Sequence, residues 1–193
     1  MNDVLRSIGR GLAGLLSFGG RSGRARFWHY AGFVILVTQL SGVAAILPVF
    51  ARIQRYLVEH PEQTRISSGP GHYSIEIVGA APAMGPVMAG TVKVTALVSA
   101  IAVALLAAAV ARRLHDCDRR GYWGLLPLPF LAAAMLLMPK LFGNFTRVGT
   151  PDRTLFFGLF FNNLVYLGSP ALLVYLLVGK GTPGSNRFGP PSD

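Results

Sequence analysis

The chain has 193 residues, of which 52% are hydrophobic and 13% charged, roughly half the charged share of an ordinary soluble domain. Eighteen Lys and Arg against eight Asp and Glu give a formal charge of +10, a balance typical of nucleic-acid binders and of membrane proteins with arginine-rich loops. The arginines lie in bands between long uncharged runs, which excludes the charge-coated surface of a nucleic-acid module, and the single cysteine, Cys117, excludes an intrachain disulfide.

Residues 2–17 place Val4, Leu5, Ile8, Leu12, Leu15 and Leu16 at helical spacing, with Asp3, Arg6, Ser7 and Arg10 on the other face. The pattern predicts a short interfacial helix on the inner leaflet, weakened by three glycines. It does not fit a cleaved signal peptide. The apolar stretch is short, and Arg21, Arg24 and Arg26 follow where a small-residue cleavage site would stand. The chain is therefore expected to be retained whole.

Four segments are apolar enough to cross a bilayer core about 30 Å thick: residues 31–50, 94–111, 122–139 and 155–178. Hydrocarbon offers backbone amides no partners, so all four are predicted helices. Between the first two lies a loop, 51–90. Within it Gly69-Pro70-Gly71 is a turn signal, and Tyr73, Ile75 and Ile77 alternate with Ser74 and Glu76, which predicts a small hairpin. Residues 80–90, rich in Ala, Pro and Gly, read as a linker back to the membrane. The third segment is short and carries Pro127 and Pro129 near its start. The fold class is thus an all-α membrane protein, a four-helix transmembrane bundle with a small extracytoplasmic hairpin loop. Its parts are a basic cytoplasmic interfacial segment (1–28), a four-span membrane domain (29–179) and a cytoplasmic tail (180–193).

Orientation follows the flanking Lys and Arg. With the N-terminus cytoplasmic, eleven fall inside and seven outside, and four of the inner arginines crowd into residues 112–121. Both termini are then cytoplasmic. Lys93 and Lys140 lie at span edges, where they can snorkel. No Asp, Glu, Lys or Arg occurs in a span interior, which argues against an ion-coupled pump.

Three polar motifs share the inner face under this topology: Phe18-Gly19-Gly20-Arg21-Ser22-Gly23-Arg24-Ala25-Arg26-Phe27-Trp28, Arg112-Arg113-Leu114-His115-Asp116-Cys117-Asp118-Arg119-Arg120-Gly121-Tyr122-Trp123 and Gly181-Thr182-Pro183-Gly184-Ser185-Asn186-Arg187-Phe188-Gly189-Pro190. In this order they resemble the bacterial inner-membrane family known as domain of unknown function 805. The resemblance covers the motif regions and most spans, with the hairpin loop as an insertion. Arg26 departs from the acidic residue usual in that family, and Asp118 and Arg120 alter the usual Gly-Arg-Ser-Gly turn. The resemblance implies an inner-membrane location and no activity or catalytic residues.

Arginines beside Trp28, Tyr30, Tyr122 and Trp123 at span ends suit anionic phosphates. Arg21, Arg24, Arg112, Arg113 and Arg187 are accordingly candidates for a site binding anionic lipid headgroups or another phosphate. The plainer reading gives them to the positive-inside rule and to local pairs such as Arg112 with Asp116. Asn162 and Asn163, at membrane depth, are expected to bond between helices, with Gln39 and Thr38 as partners; a polar transport path is the alternative. His115, Asp116, Cys117 and Asp118 are metal-ligand types, but contiguous ligands rarely converge on one ion, and neither a metal nor a cofactor is expected. Hydrolase, phosphate-loop and zinc-protease signatures are lacking. The expected role is non-enzymatic: a basic face that engages anionic lipid or a protein partner, with homo-oligomers an option and nucleic acid excluded. The alternatives are a small-solute transporter or channel and, further off, a lipid-modifying enzyme using His115 and Asp116 as acid and base.

Overall fold

The computed structural model describes residues 2–77, 84–145 and 153–191. Five α-helices are present among the described residues: α1 (Asn2–Ala13), α2 (Arg24–Glu59), α3 (Met84–Asp116), α4 (Leu128–Phe145) and α5 (Arg153–Val178). Four of them, α2 to α5, are long and apolar enough to cross a membrane. They run up, down, up and down, with α3 packed against α2, α4 and α5, and α4 against α5. Only 6% to 22% of each hydrophobic window is buried inside the protein. Leu36, Leu40, Leu47, Leu97, Leu136, Phe161, Leu167 and Tyr175 face outward. So much exposed apolar surface needs a nonaqueous cover, and a multi-pass membrane protein obtains it from lipid.

Helices outrun the apolar segments. At 1.5 Å per residue α2 is about 54 Å long, and it continues through Arg52 and Arg55 to Glu59. The region read as loop from residue 51 therefore begins as helix, because no breaker interrupts the chain before Pro61. Pro48 lies inside α2, tolerated as prolines are in membrane helices. At the other side of the hairpin, α3 starts at Met84, so most of the predicted 80–90 linker is helical; residues 80–83 lie outside the described residues. Pro86 falls in the first turn of α3, where a missing N–H costs nothing. The third span divides into a short 3-10 helix, Gly121–Leu125, and α4 proper. Pro127 precedes α4 and Pro129 falls in its first turn.

The hairpin is formed by β1 (Thr64–Gly69) and β2 (His72–Ile77), antiparallel, with Thr64 opposite Ile77 and Gly69 opposite His72. Its two-residue turn is Pro70-Gly71. Gly71 has φ 72°, a left-handed conformation that glycine adopts without penalty. The hairpin sits where α2 ends and α3 begins, at the far end of these helices from the three motifs.

The buried core concentrates at the motif end. Phe27, Tyr30, Ala31 and Val34 of α2 meet Ala109 and Leu114 of α3 and Leu176 and Leu177 of α5. Small residues allow the approach: Ala108 is fully buried, and a side chain at Gly121 or Gly124 would press on Ala111 or Val110 of α3. Helix α1 lies on α2 by Ser7 and Gly11, its buried residues. Val4, Leu5 and Leu12 remain exposed. Gly11 sits against the Tyr30 ring, where any Cβ would overlap ring carbons. One of the glycines that weakens α1 as a helix is therefore what lets it dock.

Candidate functional site: an arginine–aspartate knot

Asp116 is the last residue of α3, and the three motifs meet on it. Its Oδ1 accepts hydrogen bonds from Arg21 Nε at 3.0 Å and Nη2 at 2.9 Å. Its Oδ2 pairs with Arg113 Nη1, one turn back on α3. Its backbone carbonyl accepts from Thr182 N at 2.9 Å and Thr182 Oγ1 at 3.1 Å. The side chains of Arg113, Arg21 and Asp116 are 0%, 2% and 5% exposed. Ions so thoroughly removed from water persist only when paired and fully hydrogen-bonded.

The remaining guanidinium donors are spent on backbone carbonyls. Arg113 Nε donates to Leu177 O at 2.9 Å, and its Nη2 donates to Gly179 O. These carbonyls belong to the last turn and exit of α5, where no helical amide is available, so Arg113 caps α5 with charge of the favourable sign. Arg21 Nη1 donates to Gly184 O at 2.6 Å, and Nη2 to Thr182 O at 2.7 Å, which fastens the tail. Gly181 is needed there, because a Cβ would overlap the Asp116 carboxylate.

A second layer holds the tail in shape. Asn186 Nδ2 donates to His115 O and to Thr182 Oγ1, both at 2.9 Å, and its Oδ1 accepts from Phe188 N at 2.9 Å. The Phe188 ring stacks on His115, centroids 3.9 Å apart and planes 5° from parallel. His115 Nδ1 lies 3.2 Å from Gly20 O, which ties the first motif to the second again.

The five arginines read as one cluster divide into four environments. Arg21 and Arg113 converge on Asp116. Arg112 projects to a different side of α3, about 100° away from Arg113. Its Nη1 donates to Gly14 O at 2.7 Å and to Ser17 O. Asp116 therefore pairs with Arg113 and Arg21 rather than with Arg112. Arg187 is half exposed, with Nε 3.1 Å from Asp118 Oδ1 and Nη2 2.7 Å from Asp118 O. Arg24 is exposed in the first turn of α2.

The mid-membrane polar residues also differ from the expected pairing. Asn162 Nδ2 donates to Phe130 O at 3.0 Å, bonding α5 to α4. Asn163 bonds within its own helix, to Leu159 O at 2.9 Å. Thr38 and Gln39 lie elsewhere, lining a cavity of about 150 Å³ with Thr91, Thr95 and Ser99 of α3. Thr182, Asn186 and Gly181 had no assigned role from sequence. Their signal was the run Gly181-Thr182-Pro183-Gly184, whose glycines permit close backbone approach without naming its partner.

Both Asp116 oxygens are held by guanidinium groups, and the His115 ring is clamped by Phe188. The acid–base pair required of a lipid-modifying enzyme does not face a common space. These bonds join the three motifs at one end of the bundle.

No curated protein and no solved structure matches the chain. A family model described as "Protein of unknown function (DUF805)" matches residues 15–190, which takes in the whole knot and leaves out α1. The chain belongs to the DUF805 family.

Proposed function

We propose that this protein is a non-enzymatic module of the bacterial inner membrane, with both termini cytoplasmic, whose basic face engages anionic lipid headgroups. What supports the reading is the company of the arginines at the motif end. Exposed Arg24 and half-exposed Arg187 flank the knot at the end of the bundle that also carries exposed Tyr122 and Trp123. Amphipathic rings favour the headgroup layer, and each basic group near an anionic surface is worth about 1 kcal/mol. Under N-terminus-in topology the hairpin is extracytoplasmic. The knot supplies rigidity, so that binding arginines need not be ordered anew for each lipid.

The test is lipid binding by the full chain in detergent micelles, read by native mass spectrometry with phosphatidylglycerol, cardiolipin and phosphatidylcholine. Arg24→Gln/Arg187→Gln is the diagnostic variant, since both side chains reach solvent and the knot stays intact. The expected result is preference for the anionic lipids in the native chain and a several-fold loss in the variant. Equal uptake of all three lipids by the native chain would contradict the reading.

A further inference from the structure

We propose that the cleft beneath α1 is a binding site for a single phosphate group, a site that rests on the lipid-facing reading above and sharpens it. The cleft has a volume of about 230 Å³ and is lined by Arg10, Arg26 and Arg112 together with Ser7, Ser17 and Ser22. Arg21 also borders it, but its guanidinium is turned to Asp116. Among the described residues no carboxylate lines the cleft. Three arginines contributed by α1, α2 and α3 thus border one small space. An anion held between guanidinium groups is attracted by each of them.

The chemistry of the wall selects the anion. Guanidinium groups form paired hydrogen bonds with phosphate oxygens, and serine hydroxyls add donors. Of the Arg112 nitrogens, Nη1 is committed to the carbonyls of Gly14 and Ser17. Those bonds fix the side chain and leave Nε and Nη2 with no protein partner among the described residues. The volume lies below the ~300–1,000 Å³ that enclose a drug-sized ligand. It suits one phosphate and little of what is attached to it, so the rest of the molecule must project outward. Beside the cleft, α1 turns Val4, Leu5 and Leu12 away from the protein. Such a helix rests at the depth of phospholipid headgroups.

A phosphate held here links Arg10 on α1 to Arg26 on α2 and Arg112 on α3, so occupancy fastens α1 to the bundle. The experiment uses the full chain in detergent micelles and three probes: phosphatidic acid, phosphatidylcholine and inorganic phosphate. Binding is followed by native mass spectrometry and by amide hydrogen exchange in residues 2–13. The expected result is that phosphatidic acid, and not phosphatidylcholine, slows exchange in α1. Arg10→Gln/Arg26→Gln should weaken binding about tenfold and abolish the protection. Protection by inorganic phosphate alone at comparable concentration would assign the site to free phosphate; protection by phosphatidic acid alone would assign it to lipid. Either supports the site. Unaltered binding and exchange in Arg10→Gln/Arg26→Gln would overturn it. If that variant binds normally while Arg24→Gln/Arg187→Gln does not, the cleft is refuted and the basic-face reading stands. If no variant alters anionic lipid binding, both fall.

Discussion

At the scale of single residues, Asp116 is the position on which most depends. One carboxylate serves two buried guanidiniums, and its loss leaves both without a counter-charge. Asp116→Asn is expected to lower stability by about 3–5 kcal/mol, the usual cost of breaking a buried pair from one side. Thermal unfolding in detergent, followed by helical circular dichroism, measures it. Arg112→Ala, which gives up carbonyl bonds nearer the surface, should cost less, about 1–3 kcal/mol. A second expectation concerns Cys117. Burial pushes its thiol above the ordinary value, and the neighbouring Arg113 charge, which acts in the opposite sense, does not reverse this. Because the thiolate is the reactive form, alkylation by iodoacetamide near pH 8 should run several-fold slower than for a free cysteine. Its rate should keep rising with pH where that of a free thiol has levelled. A rate equal to free cysteine across this range would show that the thiol is not buried.

At the scale of elements, α1 is held by shape more than by hydrophobic burial. Its apolar side chains face out and its contact with α2 runs through Ser7 and Gly11. Gly11→Ala is expected to push α1 off the Tyr30 ring at a cost of about 1–3 kcal/mol, as overpacking does. Hydrogen exchange in residues 2–13 should accelerate while the exchange of α2 to α5 stays unchanged. The elements also show what a sequence can and cannot disclose. The four spans were legible because long uncharged runs have one stable outcome in lipid. Their ends were not, since hydropathy marks the membrane and not the helix. Arg52 and Arg55 continue α2 beyond the apolar run, and Met84-Gly85-Pro86 opens a helix where composition suggested a linker. The hairpin was legible from Gly69-Pro70-Gly71 and the alternation after it, a local signal that needs no tertiary information.

At the scale of the whole molecule, the motifs could be assigned to one end of the bundle but not to each other. Arg21 and Asp116 are 95 residues apart, and counting crossings places them on one face without bringing them into contact. Periodicity does not distinguish Arg112 from Arg113, although neighbours on a helix project to different sides. The packing of α5 against α3 decides that Arg113 becomes the cap and Arg112 the support of the α1–α2 connection. The same bundle geometry sets the knot and the hairpin at opposite ends of α2 and α3. Bilayer insertion therefore has a sharp consequence, namely that these ends lie in different compartments. The direct test is labelling of intact and permeabilised cells with a membrane-impermeant maleimide in a Cys117→Ser background, comparing Ser68→Cys in the hairpin turn region with Ser185→Cys in the tail, both exposed positions. The expected result is labelling of residue 68 in intact cells and of residue 185 only after permeabilisation; labelling of both, or of residue 185 alone, from outside would contradict it.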